Sequence, residues 1–264
     1  MDRLEAAIAF AEEAGVLTLE YFNRPALAVD WKGDNTPVTA ADQGAERLLR
    51  ERIIAAFPED AILGEEFPDR PGTSGSRWLL DPIDGTKSFI HGVPLYATLI
   101  GIEREGEPQI GVVRLPALGR SAWAEKGRGA FESGPDLPSP IPARVSTTAS
   151  PDHALFLTSE VKTFNETGRR ALYDRVEEKF YLTRTWGDAY GYYLVATGRA
   201  DLMIDPEMSP WDAGPLLTLL EEAGGHFTDW NGTRTLYGGE GLASNDALFA
   251  AALELTRQFP RQTR

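Results

Sequence analysis

The sequence contains the segment Trp78-Leu79-Leu80-Asp81-Pro82-Ile83-Asp84-Gly85-Thr86, in which a short apolar run ends at two carboxylates three residues apart. The apolar run predicts a strand, and the Pro and Gly predict a compact turn after it. Mg²⁺ requires oxygen ligands that converge, and Pro82 restricts the chain so that the Ile83 carbonyl can point the same way. If a helix begins after Gly85, its free N–H groups would face a phosphate. A turn with aspartate as a helix cap is the alternative, but the strand end, Pro, Gly and Thr together favour a metal site.

Two further acidic segments occupy comparable positions. Gly64-Glu65-Glu66-Phe67 follows a predicted strand, and Trp211-Asp212-Ala213-Gly214-Pro215 begins a predicted helix. Taken singly, a Glu-Glu pair is usually solvated, and an aspartate at a helix start is usually a cap. Three such positions in one chain predict convergence, because the sites of α/β sheets form at the carboxyl ends of strands.

Asp42 has two interpretations. The spacing of Thr39-Ala40-Ala41-Asp42 fits a capping box, which is a structural role. The functional alternative makes Asp42 a partner of Thr86 that orients the threonine hydroxyl toward a water molecule.

Alternating helix and strand patterns predict an α/β layered fold. In the first half, the patterns predict helices at 4–22 and 40–57, a loop or mobile hairpin at 32–37, and strands at 61–63, 78–80, 97–102 and 110–115. In the second half, they predict helices at 163–179, 188–197, 212–223 and 246–259 and strands at 180–184 and 200–204. Residues 133–142 are rich in Pro and Gly, so residues 1–142 and 143–264 are expected to form two halves of one domain.

Composition excludes several classes of partner and cofactor. The chain has 26 Lys plus Arg against 40 Asp plus Glu, a net charge of −14, which predicts no binding to nucleic acid or anionic membranes. With no cysteine, it has no disulfide, iron–sulfur cluster or thiolate zinc site. No apolar run approaches the roughly 18 residues of a membrane span, and the N-terminal residues lack a signal-peptide core. A cytoplasmic location is therefore expected.

Other catalytic patterns are absent. The three histidines lack metal-ligand spacing, and there is no Walker A loop, dinucleotide-binding glycine motif or G-x-S-x-G elbow. The carboxylate segments are therefore the main functional signal.

These segments together resemble the inositol monophosphatase family. The resemblance covers nearly the whole chain in order and is carried by Gly64-Glu65-Glu66, Asp81-Pro82-Ile83-Asp84-Gly85-Thr86 and Trp211-Asp212-Ala213-Gly214. The segments Thr36-Pro37-Val38-Thr39-Ala40-Ala41-Asp42 and Leu194-Val195-Ala196-Thr197-Gly198-Arg199-Ala200-Asp201 also look like that family.

The resemblance implies a five-layer αβαβα sandwich, a homodimer, and lithium-sensitive, Mg²⁺-dependent hydrolysis of a small phosphorylated metabolite with two or three ions per site. It implies metal ligands at Glu65, Asp81, the Ile83 carbonyl, Asp84 and Asp212. Gly85 and Thr86 would bind phosphate. Thr86 with Asp42 would help to activate water, and Glu65 would also take part in catalysis.

Within that family, two stretches resemble bacterial histidinol-phosphate phosphatases of histidine biosynthesis: Gly85-Thr86-Lys87-Ser88-Phe89 and Arg184-Thr185-Trp186-Gly187-Asp188-Ala189-Tyr190-Gly191-Tyr192. Asp188 and Asp205 would contact the substrate, although Asp188 can also be read as the N-cap of its helix. Three alternatives stay open: an inositol-1-monophosphatase, a 3′-phosphonucleotide phosphatase, and a regulator of the transcription machinery that keeps the fold.

Overall fold

The computed structural model describes residues 2–24, 29–31, 33 and 37–261. Within these residues lie the helices α1 (Arg3–Tyr21), α2 (Ala40–Ala56), α3 (Thr86–Ile90), α4 (Val161–Glu166), α5 (Arg170–Lys179), α6 (Ala189–Ala196), α7 (Pro210–Glu222) and α8 (Asp246–Thr256). Short 3-10 turns lie at Pro116–Leu118 and Pro151–His153.

The strands of the described residues form two large sheets and one hairpin. They are β1 (Val29–Trp31), β2 (Pro37–Thr39), β3 (Ala61–Gly64), β4 (Ser76–Asp84), β5 (Ala97–Arg104), β6 (Glu107–Leu115), β7 (Arg120–Glu125), β8 (Gly129–Ser133), β9 (Ile141–Pro142), β10 (Leu155–Leu157), β11 (Leu182–Arg184), β12 (Leu202–Asp205), β13 (His226–Thr228) and β14 (Gly241–Ser244). The first sheet has the order β3-β4-β5-β6-β7-β8-β9, and only its β3–β4 pair is parallel. The second sheet has the mixed order β11-β10-β12-β14-β13.

Helices and sheets alternate in five layers, which confirms the predicted αβαβα sandwich. Helices α1 and α2 cover one face of the first sheet, and α6 and α7 lie between the two sheets. Helices α4, α5 and α8 cover the outer face of the second sheet. Three large buried apolar clusters lie between successive layers, as expected when every sheet face must be removed from water.

Each large sheet falls within one part of the chain. Every strand of the first sheet lies before residue 143, and every strand of the second lies after it. On this basis we propose residues 1–142 and 143–264 as the two halves of one domain.

Several element boundaries differ from the sequence-based prediction. Strand β4 runs on to Asp84 instead of ending at Leu80, because pairing with β5 resumes after a break in register. The helix predicted at 163–179 is two helices, because Gly168 adopts a left-handed φ of +70° between them. Helix α7 begins two residues earlier than predicted, with Pro210 in its first turn.

The remaining predictions are shifted or incomplete. The strand predicted at 180–184 is limited to Leu182–Arg184, and short strands such as β10, β13 and β14 were missed. Of the loop or hairpin predicted at 32–37, residues 32 and 34–36 lie outside the described residues, while β1 and β2 on either side of it pair antiparallel. None of the helices in the described ranges combines the length and apolar character needed to cross a bilayer.

Close backbone packing sets the position of α7. Gly111 of β6 faces Pro215 of α7, and a Cβ atom added at Gly111 would lie 2.0 Å from the Pro215 carbonyl oxygen. A Cβ at Gly214 of α7 would meet Leu79 of β4 at 2.3 Å. Helix α7 can therefore lie directly on the sheet, which brings its N-terminal turn beside the end of β4.

We expect Gly111→Ala to lower the free energy of unfolding by about 3 kcal/mol, because backbone atoms rather than a flexible side chain must move. Urea unfolding of both proteins measures the change. Gly44→Ala in α2 is the control: its added Cβ would meet Leu17 at an ordinary 3.5 Å, and alanine favours the helix. Equally small changes in the two variants would show that α7 is not held by this contact.

Candidate active site

Three carboxylates converge beside the end of β4. Asp81, Asp84 and Asp212 each place one oxygen within 4.8 Å of the others. The first two belong to β4 in the first half, and the third lies in the first turn of α7 in the second half. Two distant segments therefore supply one cluster of hard oxygen donors, the type of ligand set that suits Mg²⁺.

The irregular end of β4 positions its two aspartates. Pairing with β5 is interrupted between Asp81 and Asp84, where Pro82 cannot donate a ladder hydrogen bond. The Asp81 carboxylate accepts a hydrogen bond from the Ile83 N–H at 3.0 Å, and Thr98 donates to the Pro82 carbonyl at 2.9 Å. These bonds fix the backbone between the aspartates, so both carboxylates can face the same side.

Asp212 combines the two roles that the sequence left as alternatives. One carboxylate oxygen accepts the Ser209 N–H at 2.9 Å in a capping box at the start of α7. The carboxylate also belongs to the three-oxygen cluster. Capping therefore orients the group rather than competing with a metal role.

Asp84 is held from the opposite half of the chain. The backbone N–H of Ala189, the first residue of α6, donates to an Asp84 carboxylate oxygen. An N–H at a helix start is an effective partner for a carboxylate, because the positive end of the helix dipole lies there. Helix α6 therefore fixes the direction of this aspartate.

The cluster is electrostatically costly without a cation. Burial, followed by the charges of Glu65, Asp84 and Asp212, raises the pKa of Asp81 well above its usual range. Burial and then the charge of Asp188 do the same for Asp84, and burial foremost raises the pKa of Asp212 to about 7. Buried like charges are normally offset by protons or metal ions, so the donor set and its electrostatics both fit divalent cations.

Glu65 and the Ile83 carbonyl lie at the same cavity, and their metal roles stay predictions. Glu65 lines the cavity but is not among the three clustered groups. The Ile83 carbonyl already accepts a hydrogen bond from the Thr86 hydroxyl at 3.0 Å. A carbonyl has a second lone pair, so this bond leaves room for one more partner.

Thr86 and Asp42 are neighbours, and Asp42 also caps its helix. The Thr86 hydroxyl lies 3.3 Å from one Asp42 oxygen. The other Asp42 oxygen accepts bonds from the N–H and hydroxyl of Thr39, at 2.8 and 2.6 Å. The capping box fixes the carboxylate so that its free edge faces Thr86.

Gly85 is required by conformation and by space. Its φ of +84° is left-handed, and an added Cβ would lie 2.8 Å from an Asp188 oxygen. The glycine allows α3 to begin directly against the cavity, while its predicted contact with phosphate stays a prediction.

Glu46 is a supporting residue that the sequence analysis missed. Its buried carboxylate accepts the Glu66 N–H at 2.7 Å and Arg50 Nε at 2.7 Å. It also lies under Gly64, where a Cβ would meet it at 2.2 Å. Its spacing of four residues from Asp42 places both acids on one face of α2, which is the signal that could have identified it.

The cavity beside the cluster has a volume of about 380 Å³, and Asp188 also lines it. Asp188 precedes α6 but makes no side-chain capping bond there, so the helix-cap interpretation is not observed. Its carboxylate lies instead near Gly85 and Ser159. Burial, followed by the charge of Asp205, raises the pKa of Asp188 to about 6.

Asp205 also lines the cavity, but its oxygens are already engaged. It accepts bonds from the Thr158 hydroxyl, the N–H and hydroxyl of Ser159, and the Tyr192 hydroxyl, all between 2.8 and 3.0 Å. These bonds hold the cavity wall in place, and direct contact of Asp205 with a substrate stays a prediction. The sequence analysis predicted no site role for five further lining residues: Lys87, Ser159, Glu160, Tyr192 and Glu207.

Comparisons with known proteins agree with this arrangement. A sequence model of the inositol monophosphatase family matches residues 2–260. A histidinol-phosphatase of Chlorobaculum parvum is 45% identical over 93% of both chains, and one of Mycobacterium tuberculosis is 38% identical over 94% of this chain and 95% of its own. The solved structure of an IMPase from Thermotoga maritima superposes with a TM-score of 0.87 at 29% identity, over 98% of both chains.

We expect Mg²⁺ to stabilise the chelated protein more strongly as pH rises from about 5 to 8. The aspartates with raised pKa values bind protons more tightly when folded, so their contribution to stability is present at low pH and is lost as pH rises through the folded pKa, about 7 for Asp212. Bound cations would offset this loss, and protons compete with them. Thermal unfolding with and without Mg²⁺ measures the difference. An equal shift in Tm at both pH values, or the same shift in Asp212→Asn, would contradict the assignment.

Proposed function

The chain belongs to the inositol monophosphatase family, and on this premise we propose that it is a Mg²⁺-dependent phosphomonoesterase that hydrolyses L-histidinol phosphate to L-histidinol and phosphate. One observation carries the proposal: a single cavity is lined by three clustered carboxylates and, beside them, by Asp188. The cluster suits cations that receive the phosphate, and Asp188 suits a positive charge elsewhere in the substrate. The likeness to histidinol-phosphatases over nearly the whole chain supports this choice of substrate.

Asp81, Asp84 and Asp212 would hold two Mg²⁺ ions together with Glu65 and the Ile83 carbonyl, and Glu65 could serve a third. When bound, the ions supply charge that neutralises the phosphate and lowers the pKa of water. The N–H groups of Gly85 and Thr86 would bind the phosphate oxygens. The Thr86 hydroxyl, with Asp42 behind it, would orient the attacking water, and no covalent intermediate is required.

The substrate's other groups would meet Asp188 and Asp205, which line the same cavity. Histidinol phosphate carries an ammonium group, and its imidazole can also be protonated. Inositol 1-phosphate, the principal alternative substrate, offers neutral hydroxyls there. Asp188 would therefore favour the cationic alcohol. A homodimer, lithium sensitivity and a cytoplasmic location belong to the same proposal.

We expect the wild type to prefer L-histidinol phosphate over inositol 1-phosphate and Asp188→Ala to reduce that preference by about one to two orders of magnitude, the value of a buried charged hydrogen bond. The measurement is kcat/KM for both substrates, with added Mg²⁺ and after chelation. Asp152→Ala, which removes an exposed carboxylate away from the cavity, is the charge-matched control.

Each result bears on a different part of the proposal. A wild-type preference for inositol phosphate would refute the substrate assignment. A variant that keeps the full preference would leave the substrate assignment in place and remove Asp188 from recognition. Full activity after exhaustive chelation would refute the metal mechanism.

Thr86→Ala should lower kcat by about 10²–10⁴-fold, because it removes a group that positions the attacking water, while Mg²⁺ should still stabilise the protein. Asp42→Asn should have a similar effect, and the double variant should lose little more, because the two residues act as a unit. Thr167→Ala is the control, since it removes the hydroxyl of a threonine that bonds backbone carbonyls of α4 and does not itself line the cavity. Multiplicative losses in the double variant would show that Thr86 and Asp42 act independently.

A further inference from the structure

An ion pair joins the two halves of the chain at the cavity. Lys87 Nζ, in α3 of the first half, donates to Glu160 Oε2, directly before α4 in the second half. Both residues line the cavity, and their side chains are 63% and 39% exposed. An ion pair with this much solvent contact contributes little to stability, so both partners can exchange at low cost.

The backbones that carry this pair are firmly held. Ser159, the residue before Glu160, bonds through its N–H and hydroxyl to buried Asp205. Glu160 occupies the N-cap position of α4 without making a capping bond, and its carboxylate pairs with Lys87 instead. Lys87 follows Thr86, whose hydroxyl bonds to the Ile83 carbonyl.

Lys87 is the only Lys or Arg among the described residues that line this cavity. Its charge acts on two carboxylates, since it pairs with Glu160 and also opposes the burial that raises the pKa of Asp188. A substrate ammonium placed between Glu160 and Asp188 would therefore compete with the ammonium of Lys87.

We propose that Glu160 is a specificity-determining residue for the amino group of the substrate and that Lys87 competes with the substrate for it. On binding, Glu160 exchanges Lys87 for the substrate ammonium, and the released Lys87, one residue from Thr86, turns toward the phosphate. The inference rests on the proposed histidinol-phosphatase function.

The exchange predicts that substitutions of the two partners change recognition of the amino group in opposite directions. Removing the Glu160 charge weakens recognition of the amino group, whereas removing the Lys87 charge frees Glu160 and strengthens it. If the pair only joined α3 to α4, removing either charge would have the same effect on recognition of the amino group.

The test compares L-histidinol phosphate with 3-(imidazol-4-yl)propyl phosphate, which differs only in lacking the amino group. The ratio of the two kcat/KM values measures amine recognition. Glu160→Gln should lower this ratio about threefold to tenfold, and Lys87→Gln should raise it by a similar factor, the range for a partly exposed charged hydrogen bond. Lys87→Gln should also raise KM for the amine-free substrate, because it removes a cation near the phosphate.

Arg52→Gln and Glu13→Gln provide matched controls, because this exposed ion pair joins α2 to α1 away from the cavity. Both should leave the ratio unchanged. Changes in the same direction in Glu160→Gln and Lys87→Gln, no change in either, or wild-type indifference to the amino group would overturn the role of Glu160. The wild-type comparison with inositol 1-phosphate tests the proposed function separately.

Discussion

The site depends on one constraint: three mutually repelling carboxylates, one buried and two partly buried, are held within 4.8 Å of one another. Burial and neighbouring charges raise the pKa values of all three, so the fold holds them together against their electrostatic preference. The arrangement is reasonable only if positive charge occupies the site during function. Under the proposed function, cation binding and folding are therefore linked. The local backbone features around the cluster hold the three carboxylates in place.

The backbone features that hold the three carboxylates come from both halves of the chain. The irregular end of β4 turns Asp81 and Asp84 to one side, and the first residue of α6 donates to Asp84. Helix α7 brings Asp212 to the same place, because Gly111 lets the helix backbone lie directly on the first sheet. Buried Asp205 holds the cavity wall in a similar way, because it accepts hydrogen bonds from the segment before α4 and from α6.

The sequence predicted the layered fold and the convergence of acidic segments, because the needed residues lie close together in the chain or at clear helix and strand ends. Asp81 to Thr86 is such a segment, and its Pro and Gly have local conformational meaning. The prediction of one helix at 163–179 was wrong, because the structure has two helices separated at Gly168. A glycine at that position is itself a sequence signal for a break. The orientation of Asp188 could not be predicted, because it depends on Ser159 and Gly85 from distant segments. The roles of Lys87 and Glu160 were not predicted for the same reason, since their pairing exists only in the folded chain.

The most direct test of this account is anomalous diffraction from crystals grown with Mn²⁺, which takes the same oxygen ligands as Mg²⁺. The account predicts strong anomalous peaks bounded by the carboxylates of Asp81, Asp84 and Asp212. Crystals of the wild type with no peak among these three side chains, at Mn²⁺ concentrations that support turnover, would contradict it.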